Sequence, residues 1–294
     1  MYLTGFADEA DALIDVQIRV TKKLGWQNIE ARTVQINGFP AANIHDIPDK
    51  AFEPLIEKLH EAGIHINCFG STIANWSKKI DEPFDSSLAE IERAIPRMQR
   101  LNTKLIRIMS FAVRDSEDQM EEERFRRLRE IQRRFADAGI VAVHENCMNY
   151  GGMGWPFTIK LLENVPGLKL VFDTGNPVFS EDRNKPKPYP RQSSWEFYSH
   201  VKPHIAYIHI KDAVFDEKTQ KPVFTYPDEG EAEISRILKD LLGSGYNGGI
   251  SIEPHMGAVY HEKSKESAKN KEEIYIEYGR RMVKMIEKIT NKRI

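Results

Sequence analysis

The sequence lacks several features that would assign it quickly to a class of protein. Only two cysteines, Cys68 and Cys147, occur in 294 residues, which is too few for a disulfide framework or a cysteine-rich zinc site. No apolar run approaches the roughly 20 residues that a membrane-spanning helix needs. The first residues do not show the basic and then apolar pattern of a signal peptide. We therefore expect a cytoplasmic protein with no membrane partner.

An excess of charge of one sign is also missing. The formal net charge is −2 and the pI is about 6.5, so there is no electrostatic basis for binding nucleic acid. The most highly charged helical segment, 117–138, interleaves acids with arginines, and we interpret it as a solvent-exposed face. The chain is 40% hydrophobic and 29% charged, which is typical of a globular protein with one large α/β domain or two small ones.

Strand-like and helix-like segments alternate along the chain. Apolar segments that predict strands lie at 2–6, 28–32, 64–69, 104–111, 141–146, 168–173, 205–210 and 249–252. Helical spacing of apolar residues separates or follows them at 11–24, 49–62, 86–101, 117–138, 156–165, 193–201, 231–242 and 272–288. Strand–helix alternation predicts parallel pairing with right-handed crossovers.

Eight such repeats in 294 residues fit an α/β fold of the (β/α)8 TIM-barrel type. We expect residues 1–294 to form a single barrel domain with its active site at the C-terminal ends of the strands. The segments after the strands, such as 179–192 and 214–230, are long, and those after the helices are short, as the barrel requires. An open doubly wound sheet is the alternative, but no glycine-rich phosphate turn follows the first strand.

Four consecutive strands end in side chains that can bind a metal: Glu145, Asp173, His209 and Glu253. Side chains alternate between the two faces of a strand, and all four are in phase with the barrel interior. A lone acid after a strand is more often a helix cap, but four coincidences at one end of a barrel favour a shared site. Three carboxylates and an imidazole suit one divalent ion, Mn2+, Mg2+, Co2+ or Zn2+.

Other polar residues near these strand ends are candidates for substrate binding. Lys211 either holds a substrate oxyanion or phosphate, or pairs with a ligand carboxylate. His255 either orients a ligand and contacts substrate, or is a rim histidine without a role. Arg107 is a weaker candidate for which a structural ion pair is the alternative. Trp76, with Phe6, is a candidate for an apolar wall beside a sugar ring.

The motifs around these residues resemble those of the xylose isomerase-like TIM-barrel superfamily. They are H-E-N-C at 144–147, F-D-T-G-N at 172–176, H-I-K-D-A at 209–213 and S-I-E-P-H at 251–255, with G-F-A-D-E-A at 5–10 and N-I-E-A-R at 28–32. Members of that superfamily include sugar and sugar-phosphate isomerases and epimerases, inosose dehydratase and endonuclease IV repair enzymes. The resemblance implies metal ligation by Glu145, Asp173, His209 and Glu253.

The resemblance also implies that Glu145 and Glu253 act as an acid/base pair, as in ketose epimerases of this superfamily. One departure is Asn176, which stands where those epimerases usually have a substrate-contacting histidine. Because of its position, Asn176 is a candidate substrate contact. The absence of the histidine argues against an epimerase of the tagatose type.

The expected activity is a divalent-metal-dependent isomerisation or epimerisation of a sugar, sugar phosphate or related polyol ketone. A metal-stabilised enediolate would form, and one carboxylate would remove the proton that the other returns. The alternative is a lyase that dehydrates its substrate, like inosose dehydratase. A catalytically inactive sugar-binding barrel is a weaker alternative. A DNA-repair endonuclease is another, and the early strands lack the additional histidines of its three-zinc cluster. Relatives often form dimers or tetramers, so a homodimer or homotetramer is left open.

Overall fold

Eight of the apolar segments form the parallel strands of a barrel in the computed structural model of the protein, which describes residues 1–256 and 268–293. In chain order these strands are β1 (Tyr2–Gly5), β2 (Asn28–Ala31), β3 (His65–Gly70), β4 (Leu105–Ile108), β5 (Val141–Glu145), β6 (Lys169–Asp173), β7 (Ile205–Ile210) and β8 (Gly249–Ile252). The predicted strand segments are therefore all strands, with ends that differ by a few residues.

The strands pair in their order along the chain from β2 to β8, and β8 pairs in parallel with β1. A parallel bridge between Phe6 and Glu30 joins the ends of β1 and β2. The sheet is thus nearly closed, which confirms the TIM barrel and excludes the open doubly wound alternative. Closure matters for function because it brings the carboxyl ends of all eight strands to one mouth.

Helices follow the strands and cover the outside of the barrel. They are α1 (Ile14–Lys23), α2 (Asp49–Ala62), α3 (Asp85–Arg100), α4 (Glu121–Asp137), α5 (Trp155–Asn164), α6 (Asn176–Phe179), α7 (Ser194–Val201), α8 (Ile234–Gly243) and α9 (Ala268–Thr290). The short α6 was not predicted. Within the described part of the chain, no helix has the length and apolar character to cross a membrane.

Helix ends follow local side-chain chemistry. Gly63 ends α2 in the left-handed region at φ 65°, which costs glycine little and other residues more. Helix α4 begins four residues later than the predicted 117, because Gln119 folds back on Arg114. The Gln119 side chain accepts a hydrogen bond from the Arg114 amide and donates one to the Arg114 carbonyl. Residues 114–119 are therefore held as a turn.

The predicted loop 214–230 contains a β-hairpin instead of irregular structure. Its strands, Asp212–Asp216 and Lys221–Thr225, pair antiparallel. Phe224 on the second strand packs edge-to-face against His255, with 5.0 Å between ring centroids, and against Phe179 at 5.9 Å. The hairpin therefore covers one side of the barrel mouth.

Apolar side chains fill the barrel interior below the mouth. Cys68, Val143, Val171 and Tyr207 form a fully buried cluster there. Because inward-facing residues recur every two positions, the next inward positions on β5, β6 and β7 are Glu145, Asp173 and His209. An apolar plug thus lies directly beneath the ionisable strand ends, while a much larger apolar core lies between the sheet and the helices.

Candidate metal centre and active-site cavity

The four predicted metal ligands meet at the carboxyl-terminal mouth of the barrel. Glu145, Asp173, His209 and Glu253 each offer one ligand atom, and these four atoms all lie within 4.8 Å of one another. None of the four residues is more than 3% exposed. Ligand bonds of about 2.0 to 2.6 Å to a central ion require separations of this order.

A buried glutamate orients the imidazole of His209. Nε2 of His209 lies 3.0 and 3.1 Å from the two carboxylate oxygens of Glu30. Glu30 also accepts hydrogen bonds from the Tyr207 hydroxyl at 3.0 Å and the Ser251 hydroxyl at 2.6 Å. With the Nε2 proton donated to Glu30, Nδ1 is directed toward Glu145 Oε1, 3.6 Å away. Metal-binding histidines are commonly oriented by a carboxylate in this way.

Two buried atoms of the cluster make no hydrogen bond with any described residue. They are Nδ1 of His209 and Oδ2 of Asp173, although Lys211 Nζ lies 3.1 Å from that oxygen as an ion pair. Leaving a buried polar atom unsatisfied costs about 1 to 3 kcal/mol. Oxygen and imidazole donors are those that divalent ions bind. The residues present therefore fit a divalent ion.

Three cations surround the carboxylates. Arg107 Nη1 lies 2.8 Å from Glu145 Oε2, and Arg32 Nη1 lies 2.9 Å from Glu253 Oε1. Lys211 Nζ lies 3.0 Å from Glu253 Oε2. The ion-pair alternative for Arg107 and Lys211 is therefore observed, and both residues also line the cavity, so a substrate contact remains open to them.

These charges separate the pKa values of the acids. Burial would raise the pKa of Glu145, but Arg107 and His209 outweigh it and lower the pKa to about 2. Burial also opposes ionisation of Glu253, but Lys211 leads the neighbouring cations that hold its pKa well below its usual range. Asp173 differs, because its burial and the neighbouring glutamates outweigh Lys211 and raise its pKa to about 6.

The pKa of His209 is raised by neighbouring carboxylates. Burial lowers the pKa of His209, but the charges of Glu30 and Glu145 outweigh it and raise the pKa to about 10. Without an ion, His209 is therefore an imidazolium at neutral pH, and its positive charge balances the acids. A metal ion that binds Nδ1 must displace that proton.

A cavity of about 570 Å³ opens above the four residues. Asn176 lines it, with Nδ2 3.3 Å from Glu145 Oε1. His255 lines it too, and its Nδ1 lies 2.7 Å from Glu9 Oε1. Trp76 lines it as well. Phe6 does not, because it is fully buried, 5.1 Å from the His209 ring and beneath Arg32.

Sequence reasoning missed three charged residues around the centre: Glu9, Glu30 and Arg32. Glu30 and Arg32 are part of the N-I-E-A-R segment of β2, where charged residues two positions apart follow an apolar start. That is the pattern that identified the other strand ends. Glu9 had no such signal, because it lies in a short 3-10 helix after β1.

Comparison with known proteins agrees with the geometry. The family model described as xylose isomerase-like TIM barrel matches residues 18–276. The chain belongs to this family. Members of the family have the barrel seen here, which confirms the predicted resemblance. No curated protein sequence matches the chain significantly.

Several solved structures share the fold of this chain at low sequence identity. The IOLI protein with a bound zinc atom is 14% identical with a TM-score of 0.71, covering 98% of this chain and 99% of that one. The probable 3-DHS dehydratase AsbF of Bacillus anthracis is 15% identical with a TM-score of 0.66, covering 96% and 98%. D-Psicose 3-epimerase with D-tagatose, from Clostridium cellulolyticum H10, is 16% identical with a TM-score of 0.61, covering 96% and 99%.

Proposed function

We propose that the protein is a divalent-metal-dependent isomerase or epimerase of a sugar, sugar phosphate or related polyol ketone. The observation that carries the proposal is the buried cluster of Glu145, Asp173, His209 and Glu253 at the base of the cavity. These four residues would hold one ion, Mn2+, Mg2+, Co2+ or Zn2+. The zinc in the IOLI structure, which has the same fold, supports this part of the proposal.

When bound, the ion would polarise a substrate carbonyl and stabilise the negative charge that develops as the adjacent carbon loses its proton. The chain itself would move the proton. Glu145 and Glu253 are the proposed acid/base pair, and the lowered pKa values of both keep them ionised and able to accept a proton at neutral pH. Their charges are balanced by Arg107 and by Arg32 with Lys211.

The two reactions make different demands on this pair. In an isomerisation, a single carboxylate takes the proton and returns it to the neighbouring carbon. In an epimerisation, the second carboxylate must carry a proton and deliver it to the opposite face, so the lowered pKa values of both glutamates favour the isomerisation. Asn176 is a neutral amide beside Glu145, so it would orient substrate and would not transfer a proton. The likeness to D-psicose 3-epimerase supports proton exchange of this kind.

Substrate would contact the polar and aromatic residues of the cavity wall. The proposed substrate-binding residues are Lys211, Asn176, His255, Arg107 and Trp76, all of which line the cavity. Arg107 already pairs with Glu145, and Lys211 already pairs with both Asp173 and Glu253, so they would bind substrate oxygens with their remaining hydrogens.

The direct test is exchange of a carbon-bound proton with solvent. Protein loaded with Mn2+ is incubated with a panel of ketoses, ketose phosphates and polyol ketones in heavy water, and deuterium incorporation is followed by proton NMR. We expect incorporation at the carbon next to the carbonyl in at least one compound. The Glu145→Gln and Glu253→Gln variants should lose it, whereas Glu57→Gln, at an exposed position of α2, should retain it. Absence of exchange in the whole panel would count against the proposal.

Dehydration on the same centre is the second candidate function. The likeness to the probable 3-DHS dehydratase AsbF supports it. The first step, removal of a proton next to a carbonyl, is shared, but a hydroxyl group on the next carbon then leaves as water. The product is a conjugated carbonyl compound, so a rise in ultraviolet absorbance without a sugar isomer would distinguish the lyase from the isomerase.

A further inference from the structure

Two cavities adjoin at the mouth of the barrel. The inner one, of about 570 Å³, lies above the candidate metal centre, and an outer one of about 380 Å³ lies beside it. The same four side chains line both cavities: Trp76, Cys147, Met148 and Phe179. They come from the segments that follow β3, β5 and β6, so three separate strand-to-helix connections build the shared wall.

The inner cavity alone is larger than a single sugar needs. Even if each of the 12 non-hydrogen atoms of a hexose filled the roughly 30 Å³ of a liquid water molecule, the sugar would occupy about 360 Å³. The inner cavity measures about 570 Å³, and the outer cavity is additional. A monosaccharide bound at the candidate metal centre would therefore fill only part of the space that the shared wall borders.

The shared wall differs in polarity from the rest of both cavities. The carboxylates of the candidate metal centre and their cations lie at the base of the inner cavity, and Glu181, Arg183 and Arg191 line the outer one. The shared wall consists instead of two aromatic rings, a thioether and a thiol. Trp76 is 38% exposed and Met148 is 46% exposed, although both are large apolar side chains. Apolar surface that is clustered beside a cavity commonly marks a binding site. The wall therefore favours a ligand with a polar end and an apolar end.

We propose that the substrate is a polyol ring that carries an aromatic substituent, and that the substituent binds in the outer cavity. The ring would lie over the candidate metal centre, and the substituent would contact Trp76 and Met148. This inference rests on the proposed function, because the metal centre fixes the position of the ring. An aromatic group matches the wall, since it stacks on an indole and packs well against a thioether sulfur.

The test compares matched pairs of ligands that differ only in the substituent. Phenyl and methyl glycosides of glucose, galactose, mannose and fructose are titrated into Mn2+-loaded protein by isothermal titration calorimetry. We expect at least one phenyl glycoside to bind about tenfold more tightly than its methyl partner. The Trp76→Ala variant should remove most of that preference, and Met148→Ala should reduce it.

Val141→Ala is the control, because Val141 is also an exposed apolar residue at 41% but lies at the opposite end of the barrel. It should keep the preference for the phenyl group. Circular dichroism establishes that each variant is folded. The inference is overturned if no phenyl glycoside in the set binds more than about twofold better than its methyl partner, or if the preference persists unchanged in Trp76→Ala.

Failure of this inference can be told apart from failure of the proposed function. Ion binding and solvent exchange without any preference for phenyl glycosides would remove the outer subsite and leave the isomerase intact. A preference that depends on Trp76, in a protein that neither binds an ion nor exchanges protons, would keep the subsite and contradict the proposed chemistry.

Discussion

Replacing Glu30 by glutamine should change how ion binding depends on pH. In the native protein the pKa of His209 is raised to about 10, with Glu30 the largest of the causes that raise it. An ion needs His209 Nδ1 without its proton, and each pH unit below that pKa lowers the unprotonated fraction about tenfold. The apparent affinity for Mn2+ should therefore rise about a hundredfold between pH 7 and pH 9.

Glu30→Gln removes the charge that raises the pKa of His209 but preserves the size of the side chain. The pKa of His209 should then fall, because burial lowers it and the charge of Glu30, the largest of the causes that raise it, is gone, although Glu145 still raises it. A larger fraction of His209 would be unprotonated at pH 7 than in the native protein. We therefore expect the affinity of the variant to rise clearly less than a hundredfold over the same pH interval. The new side-chain amide can also donate a hydrogen bond to Nε2 of His209, which would place the remaining proton on Nδ1. The affinity for Mn2+ at high pH, where His209 is neutral, would then be about 10- to 100-fold lower than in the native protein.

The measurement is isothermal titration calorimetry with Mn2+ in deoxygenated buffers of different ionisation enthalpy. It gives the affinity at each pH and the number of protons released. We expect about one proton per ion from the native protein at pH 7 and clearly fewer from Glu30→Gln. Glu57→Gln is the matched control, since Glu57 is exposed on α2. Equal pH slopes in native protein and Glu30→Gln would refute the role of Glu30.

Three further predictions concern stability. Burial and its acidic neighbours raise the pKa of Asp173 to about 6, so its ionisation costs stability as pH rises from about 4 through 6. In urea unfolding at pH 8, the free energy of unfolding of ion-free Asp173→Asn should therefore exceed that of the native protein by up to about 3 kcal/mol. At pH 4 the two should not differ in this way. Arg107→Met leaves Glu145 without its arginine partner and should destabilise the ion-free protein by about 3 to 5 kcal/mol, with partial recovery on adding Mn2+. Arg100→Met is the control, because Arg100 pairs with Glu53 on the surface, and it should cost under about 1 kcal/mol. Gly63→Ala places a side chain at φ 65° and should lower stability by about 1 to 2 kcal/mol in thermal unfolding.

The barrel could be predicted from local sequence because its signals are local. Each strand is a short apolar run, each helix has an apolar stripe, and glycine ends several helices. The four strand ends could be predicted for the same reason, since the phase of Glu145 relative to Val143 needs only the strand itself. A closed barrel then forces side chains with that phase to one mouth.

Other features depend on partners far apart in the chain, which sequence alone does not identify. The hairpin after β7 was predicted as a loop because its two strands are short and their pairing is stabilised by packing of Phe224 on Phe179 and His255. The contact between Glu30 and His209 joins residues 179 positions apart. The position of Phe6 depends on closure between β1 and β2, and that closure buries a side chain predicted to line the cavity.

The ion content of the protein tests the central claim most directly. Untagged native protein and the variants Asp173→Asn and Glu253→Gln are incubated with Mn2+ or Co2+ and freed of excess ion. Their metal content is then measured by elemental mass spectrometry. Circular dichroism establishes that all three are folded. We expect about one ion per chain in the native protein and far less in both variants. A native protein that holds no ion after incubation with either metal would contradict the account.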